Sequence, residues 1–277
     1  MLHIIFKILF IIIYFYELGN GVFGISINSS NDFINGISNG DENLSLENDI
    51  KVDNNNIIKV HSKKVIISGK SKNTILQFTN KDSVNISFLE SCEEIELNNL
   101  SIFGIFKFNN NKNIIFNNVI FNGYFISENN NDISENSRLQ LLDSEFYLVD
   151  QYGFEIHNYH LTIKNSQIYG NDILNASLMS IINDETSIKN VIIDNSYFTG
   201  NYHNSAINIK YSDITCSNSI FEKFYNGKEL NRYTLYIYIY IYYFKLFWIN
   251  NVINFLTFFL FLLIIINNNN IYYCLWK

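Results

Sequence analysis

Proline is absent from this 277-residue chain, although average usage of about 5% would supply roughly fourteen. Asparagine, isoleucine, phenylalanine and tyrosine are abundant instead, and their codons are rich in A and T. Part of this bias therefore reflects base composition, and a single Asn or Ile carries little structural information.

Arginine is almost absent too, with Arg138 and Arg232 its only occurrences, and the formal net charge is −7. Nucleic-acid surfaces use a basic stripe and arginine for bidentate contacts, so we expect no nucleic-acid partner. Three cysteines, Cys92, Cys216 and Cys274, are too few for a disulfide framework, and no CxxC or Cys/His cluster indicates zinc. With 48% apolar residues, the chain is nevertheless able to build a sizeable core.

Both ends of the chain are apolar. Residues 1–24 have the pattern of a signal peptide, with cleavage expected after Gly24; a retained anchor is the alternative. Residues 227–277 form a hydrophobic, low-complexity tail, in which 248–266 approaches the roughly 20 residues that cross a bilayer. The tail is either such a membrane anchor or translated non-coding sequence. The expected location is the secretory pathway, with the protein extracellular or single-pass in a membrane.

Entry into that pathway would expose Asn-x-Ser/Thr sites to glycosylation. The candidates are Asn28, Asn43, Asn85, Asn99 and Asn175. Two of them belong to residues 25–59, which are polar and rich in Asn, Ser and Gly. We expect this segment to be a loose leader with room for one capping strand.

Residues 60–226 contain a repeat that base composition does not explain. Each copy has an Asn or Asp preceded by apolar residues four and two positions earlier and followed by a third apolar residue three positions later. These reference residues are Asn99, Asn118, Asp143, Asn165, Asn195 and Asn218, at spacings of 19, 25, 22, 30 and 23 residues. Apolar residues at period two predict a short strand with one face buried.

The reference residue predicts a sharp turn after that strand, because Asn adopts left-handed backbone more readily than other non-glycine residues. A second bend with positive φ is expected at Gly104, Gly123, Gly170 and Gly200. Further strands are expected after Gly153, Leu178 and Ala206. Each interval then makes one coil of an all-β parallel solenoid of about six to seven coils, with the reference residues stacked about 4.8 Å apart in a ladder of amide hydrogen bonds.

Two short segments resemble known β-helices. The segment KVIISGKSKNTILQF from Lys64 resembles the opening coil of right-handed parallel β-helices of the pectin-lyase-like class. SYFTGNYHNSAINI from Ser196 is similar to the repeats of polymorphic membrane protein adhesins, with Phe198 and Asn201 in their FxxN motif. The resemblance implies a right-handed β-helix over residues 60–226 and transfers no catalytic residue.

Pectin-lyase-like enzymes use carboxylates on one exposed face, about 5 to 9.5 Å apart. The only such cluster in the sequence is Asp143, Glu145, Asp150 and Glu155, and solvated charge explains it better. His157 and His160 near Glu155 are better explained by chance than by a metal, and His203 by a loop position. We expect no catalytic residue, cofactor or metal. Cys216 occupies an inward position and is expected to be buried and not paired with Cys92.

These patterns favour a non-enzymatic secreted or cell-surface protein that contacts a glycan or another cell-surface protein. The alternatives are a carbohydrate-active enzyme and a truncated gene fragment.

Overall fold

A computed structural model describes residues 24–54, 56–129, 136–149, 153–173, 177–204 and 207–224, together with the backbone of 272–274. The part described is all-β apart from one helix, α1 (Ser30–Asn39). Its strands stack in three parallel columns, called sheets A, B and C here. Two 16-residue strands, β8 (Glu94–Asn109) and β9 (Asn113–Glu128), run through all three sheets.

Sheet A contains β1 (Ile25–Ile27), β2 (Asn43–Leu46), β5 (Lys64–Gly69), β10 (Arg138–Leu142), β13 (His160–Lys164), β16 (Lys189–Asp194) and β19 (Ser212–Ser217). Sheet B contains β3 (Ile50–Val52), β6 (Ile75–Phe78), β11 (Glu145–Leu148), β14 (Gln167–Tyr169), β17 (Tyr197–Thr199) and β20 (Ser219–Glu222). Sheet C contains β4 (Ile58–Val60), β7 (Ile86–Phe88), β12 (Phe154–His157), β15 (Met179–Ile182) and β18 (Asn208–Lys210).

The chain therefore winds as a β-solenoid of about eight parallel coils, which confirms the predicted fold class. The coils begin at Asn43, Lys64, Glu94, Asn113, Arg138, His160, Lys189 and Ser212, and the first seven have a strand in every sheet. The prediction of six to seven coils was slightly low. The strands expected after Gly153, Leu178 and Ala206 are β12, β15 and β18.

The repeat's apolar positions line the interior of the solenoid. The residues four and two before each reference position face inward, and Leu97, Phe116 and Leu141 have no exposed surface. The strand register pairs equivalent positions of neighbouring coils: Ile95 pairs with Ile114, which pairs with Leu139. Since the inward residues of each coil contact one another and the coils above and below, the stack is stabilised coil by coil.

Phenylalanine fills the middle of this core. Eight fully buried phenylalanines form a cluster in which neighbouring ring centroids are 5.0 to 6.4 Å apart. They are Phe88, Phe106, Phe108, Phe116, Phe121, Phe125, Phe146 and Phe154. Burying each ring stabilises the fold by about 1.5–3 kcal/mol relative to leaving it exposed.

The N-terminal segment differs from the loose leader predicted for residues 25–59. It forms β1, α1 and most of the first coil, from β2 into β4. Helix α1 begins after Ser29, whose side chain accepts a hydrogen bond from the Asp32 backbone N–H, and ends at Gly40. Its apolar face buries Phe33 and Ile37, so the helix caps the open end of the solenoid core.

The predicted glycine bends are largely wrong. Gly123 has a positive φ of 150°, but Gly104, Gly170 and Gly200 do not adopt positive φ. Space explains the glycine at Gly170, where a Cβ would lie 2.1 Å from Asn204 Oδ1. This glycine is therefore required by the close approach of a neighbouring coil.

At the C-terminal end, β21 (Tyr272–Cys274) pairs antiparallel with β20. None of the described residues forms a helix long and apolar enough to cross a membrane. The predicted signal peptide, apart from Gly24, and the predicted span at 248–266 lie outside the described residues, as do Asp150 and Asn175.

Candidate functional site

The reference residues form the corner between sheets A and B. All six have left-handed backbone, with φ between 47° and 55°. Nδ2 of Asn118 donates to Asn99 Oδ1 at 2.8 Å, and Nδ2 of Asn165 donates to Asp143 Oδ1 at 2.9 Å. The carboxylate of Asp143 has no N–H to donate to Asn118, so the ladder of amide hydrogen bonds is interrupted between these two residues. Two further bonds complete the corner: Asn195 donates to Asn165 Oδ1 at 2.9 Å, and Asn218 to Asp194 Oδ1 at 3.4 Å.

Directly after four of these residues lies a column of buried serines that the sequence did not reveal. Ser144, Ser166, Ser196 and Ser219 are at most 4% exposed. Each hydroxyl accepts a backbone N–H from the preceding coil; Ser144 N donates to Ser166 Oγ at 3.2 Å and Ser196 N to Ser219 Oγ at 3.1 Å. In the two earlier coils the same position holds Leu100 and Val119. The serine column pairs buried amides that the turn leaves without a strand partner.

The outer side of sheet B bears three tyrosines in consecutive coils. Tyr147 stacks on Tyr169 with ring centroids 4.7 Å apart and planes 7° apart, and Tyr197 lies 5.9 Å from Tyr169 at a tilt of 57°. Each hydroxyl donates to a side-chain oxygen on the same face. The tyrosine face is defined here by Tyr147, Tyr169, Tyr197 and these acceptors, Glu145, Gln167 and Glu222.

Lysines pair with both carboxylates of the tyrosine face. Lys72 Nζ lies 2.7 Å from Glu145 Oε1, and Lys223 Nζ lies 2.9 Å from Glu222 Oε1. The Lys72 ammonium holds the pKa of Glu145 below its usual value, so this carboxylate is ionised at neutral pH. The charges cancel in pairs, and Gln167 between them is neutral. The face is therefore polar and aromatic but carries little net charge.

The tyrosine hydroxyls remain protonated at physiological pH. Burial, followed by the neighbouring Glu145 carboxylate, raises the pKa of Tyr147 to about 12. Burial also raises the pKa of Tyr169 and of Tyr197, in the latter case with help from Glu222. All three rings therefore present hydrogen-bonding hydroxyls at their outer edges.

Turns border the tyrosine face where the chain passes from sheet B to sheet C. In β8 and β9 this passage is a continuous strand, whereas in the next three coils the strand of sheet B ends first, at Leu148, Tyr169 and Thr199. The buried amide of Asn204 joins two of these turns. It accepts from the Asn171 backbone N–H at 2.6 Å and donates to Asn171 Oδ1 at 3.1 Å and Ile173 O at 3.3 Å. The border is thus tied to the scaffold by hydrogen bonds.

The three described carboxylates considered for catalysis lie on different parts of the solenoid. Asp143 lies at the corner between sheets A and B, Glu145 on sheet B, and Glu155 on sheet C. His157 Nε2 is 4.0 Å from Glu155 Oε2, but His160 lies on sheet A. Among the residues described, no group of three His, Cys, Asp or Glu side chains is arranged to hold a metal ion.

The glycosylation candidates differ in access. Asn28 is exposed and Asn43 half-buried at the edge of the first coil. Asn85, by contrast, is 4% exposed, accepts the Ile105 N–H at 2.7 Å and donates to Asn80 O at 2.8 Å. A glycan on its Nδ2 would break this arrangement, so the prediction for Asn85 is corrected: it is a structural residue.

Cys92 and Cys216 do not form a disulfide, as predicted. Burial raises the pKa of Cys92 to about 12, so its thiol stays protonated and unreactive. Cys216 is only half-buried, contrary to the prediction, because β19, the last described strand of sheet A, pairs only with β16 among the described residues.

Comparison of the chain with protein-family models, curated proteins and solved structures finds no match. The tyrosine face and its bordering turns are therefore interpreted from their own chemistry.

Proposed function

We propose that this chain is a non-enzymatic recognition protein of the secretory pathway, extracellular or anchored by its C-terminal tail, and that it binds glycans. The tyrosine face carries the proposal. It combines aromatic rings, hydroxyls, an amide and paired charges on the flat outer side of a rigid sheet. Ligand sites characteristically place a few fixed polar groups among aromatic side chains, and sugars offer both hydroxyls and apolar C–H faces to such groups.

The finer fold assignment belongs to the same proposal. Three strands per coil and the left-handed asparagine corner support a right-handed β-helix of the pectin-lyase-like class. Its use would be adhesive display, as the resemblance to polymorphic membrane protein repeats implies. This step is an analogy between folds and gives no residue a role.

Binding is favoured over polysaccharide cleavage by the placement of the acids. Hydrolysis needs two carboxyl groups on opposite sides of one bond, about 5 to 9.5 Å apart. In the described residues, both carboxylates of the tyrosine face are paired with lysine at 2.7 and 2.9 Å. An ion-paired carboxylate with a lowered pKa is a poor general acid.

The test compares two outward-facing glutamines. The full chain is produced in a eukaryotic secretory host, kept in detergent micelles and applied to a glycan array. We expect Gln167→Ala, on the tyrosine face, to weaken glycan binding about two- to tenfold, the effect of one lost hydrogen bond. Gln140→Ala, on the outer side of sheet A in the preceding coil, is the matched control and should bind normally. Equal binding by both variants, or release of shortened saccharides, would contradict the proposal.

A further inference from the structure

Tyr202 occupies an unusual position in the turn that borders the tyrosine face. Its φ is 63°, and the preceding Asn201 has a φ of 48°. Hydrogen bonds fix this backbone, since the Tyr202 N–H donates to Lys223 O at 2.6 Å and the His203 N–H to Gly200 O at 3.0 Å. The turn therefore holds a bulky aromatic residue in left-handed conformation.

That conformation is unfavourable for tyrosine, whereas Gly or Asn adopts it readily. The asparagine corner of the same solenoid shows what the fold uses where only the backbone matters. Tyr202 is also 52% exposed, so its ring has little packing to compensate. An exposed aromatic residue held in a strained conformation at the border of the tyrosine face is a candidate for contact with a ligand.

The tyrosine face offers a ligand only part of its ring surface, because its rings pack on one another. Tyr147 and Tyr169 each cover one π-face of the other in their 7° stack, and the Tyr197 ring is tilted against Tyr169. The Tyr202 ring, at the border, is the most exposed large apolar side chain in its turn. Asp172 contacts the residues on either side of Tyr202: it accepts a hydrogen bond from Asn201 Nδ2 and lies 3.8 Å from His203 Nδ1, and its side chain is 84% exposed.

We propose that Tyr202 is a stacking platform for one uncharged pyranose residue, with Asp172 accepting hydrogen bonds from its hydroxyls. This inference rests on the proposed glycan-binding function and specifies its ligand class. The paired charges of the tyrosine face attract neither sign, and the Asp172 carboxylate repels anionic sugars such as uronates. The ligand is therefore a neutral glycan that extends from Tyr202 across the tyrosine face.

The full chain in detergent micelles is titrated with neutral hexasaccharides of β-linked glucose, β-linked N-acetylglucosamine and mannose, and with hexagalacturonate as the anionic comparison. We expect at least one neutral hexasaccharide to bind more tightly than hexagalacturonate. Tyr202→Gly and Tyr202→Asn should weaken that binding at least about tenfold, which corresponds to about 1.4 kcal/mol. Tyr202→Phe, which keeps the ring, should bind within about twofold of wild type.

Tyr211 supplies a matched control, because it too is an exposed tyrosine with positive φ, 55°, but lies between β18 and β19, where sheet C turns into sheet A. Tyr211→Gly should leave binding unchanged. Thermal unfolding separates binding from folding: relief of backbone strain leaves the melting temperature of Tyr202→Gly unchanged or raised. This inference is overturned if Tyr202→Gly binds normally or if the chain prefers hexagalacturonate. The proposed function still stands in that case if binding is weakened by Gln167→Ala. No binding to any saccharide overturns both.

Discussion

Replacing Ser166 with alanine tests whether the buried serine column holds the corner between sheets A and B. Ser166 has no exposed surface, and its hydroxyl accepts the Ser144 backbone N–H at 3.2 Å while lying 2.8 Å from Lys164 O. Alanine fills the same space but offers no acceptor, so the Ser144 amide is left buried without its partner. Such a donor costs about 1–3 kcal/mol; we therefore expect a loss of about 2 kcal/mol.

Hydrogen exchange measures this loss at the site itself. A cost of about 2 kcal/mol, where 1.4 kcal/mol is tenfold, raises local opening and hence exchange of the Ser144 amide about thirtyfold. Ser180→Ala, on the outer side of sheet C, is the control and should change exchange at its neighbours by less than about threefold. If Ser166→Ala behaves like that control, the serine column does not stabilise the corner, and the hydrophobic stack alone holds it.

In the exposed asparagine ladder, Asn165→Gly should lower the free energy of unfolding by about 1 kcal/mol, because amide hydrogen bonds are lost. Asn165→Ala should lower it by about 2 kcal/mol, because alanine also disfavours the left-handed backbone. Urea denaturation of both variants measures the two losses, and equal losses would show that the backbone conformation contributes nothing. The pKa of Glu145 is held low mainly by Lys72, so this ion pair stabilises the fold above the ordinary glutamate pKa of about 4.3 and is lost as the pH falls through the lowered pKa. Lys72→Met should therefore melt below wild type at pH 7, and the difference should shrink in acid; a difference independent of pH would refute the ion-pair origin.

The sequence was informative wherever the backbone allows few residue types. A left-handed corner selects Asn or Asp, and inward strand positions select apolar residues, so both appear at one phase in six of the eight coils. Asn99 to Asn218 therefore located the corner, and the residues two and four positions earlier located the core. Where a glycine is required by space and not by positive φ, as Gly170 is against Asn204, the local sequence does not distinguish the two reasons.

Other features depend on contacts between coils and were not predictable. The first coil was missed because its strands are short and separated by Asn-rich turns, as between β3 and β4. The serines after the reference residues looked like ordinary turn residues, since nothing local shows that Ser166 accepts an amide from a coil 22 residues away. The tyrosine face joins residues from four coils, and no single segment contains enough of it to form a motif.

The distribution of these features distinguishes one side of the solenoid from the others. Stacking constrains the inward residues and the corner, because each must match the coil above and below, whereas outward residues are free to differ. Tyrosines nevertheless recur at Tyr147, Tyr169 and Tyr197, in three consecutive coils. In the same three coils the strand does not continue from sheet B into sheet C. The repeat requires neither the tyrosine nor the strand break, because β9 and β8 are continuous and have Asn122 and Phe103 at the position of Tyr147. Their coincidence on one side of the solenoid, next to the strained and exposed Tyr202, is what makes that side the first place to look for a ligand.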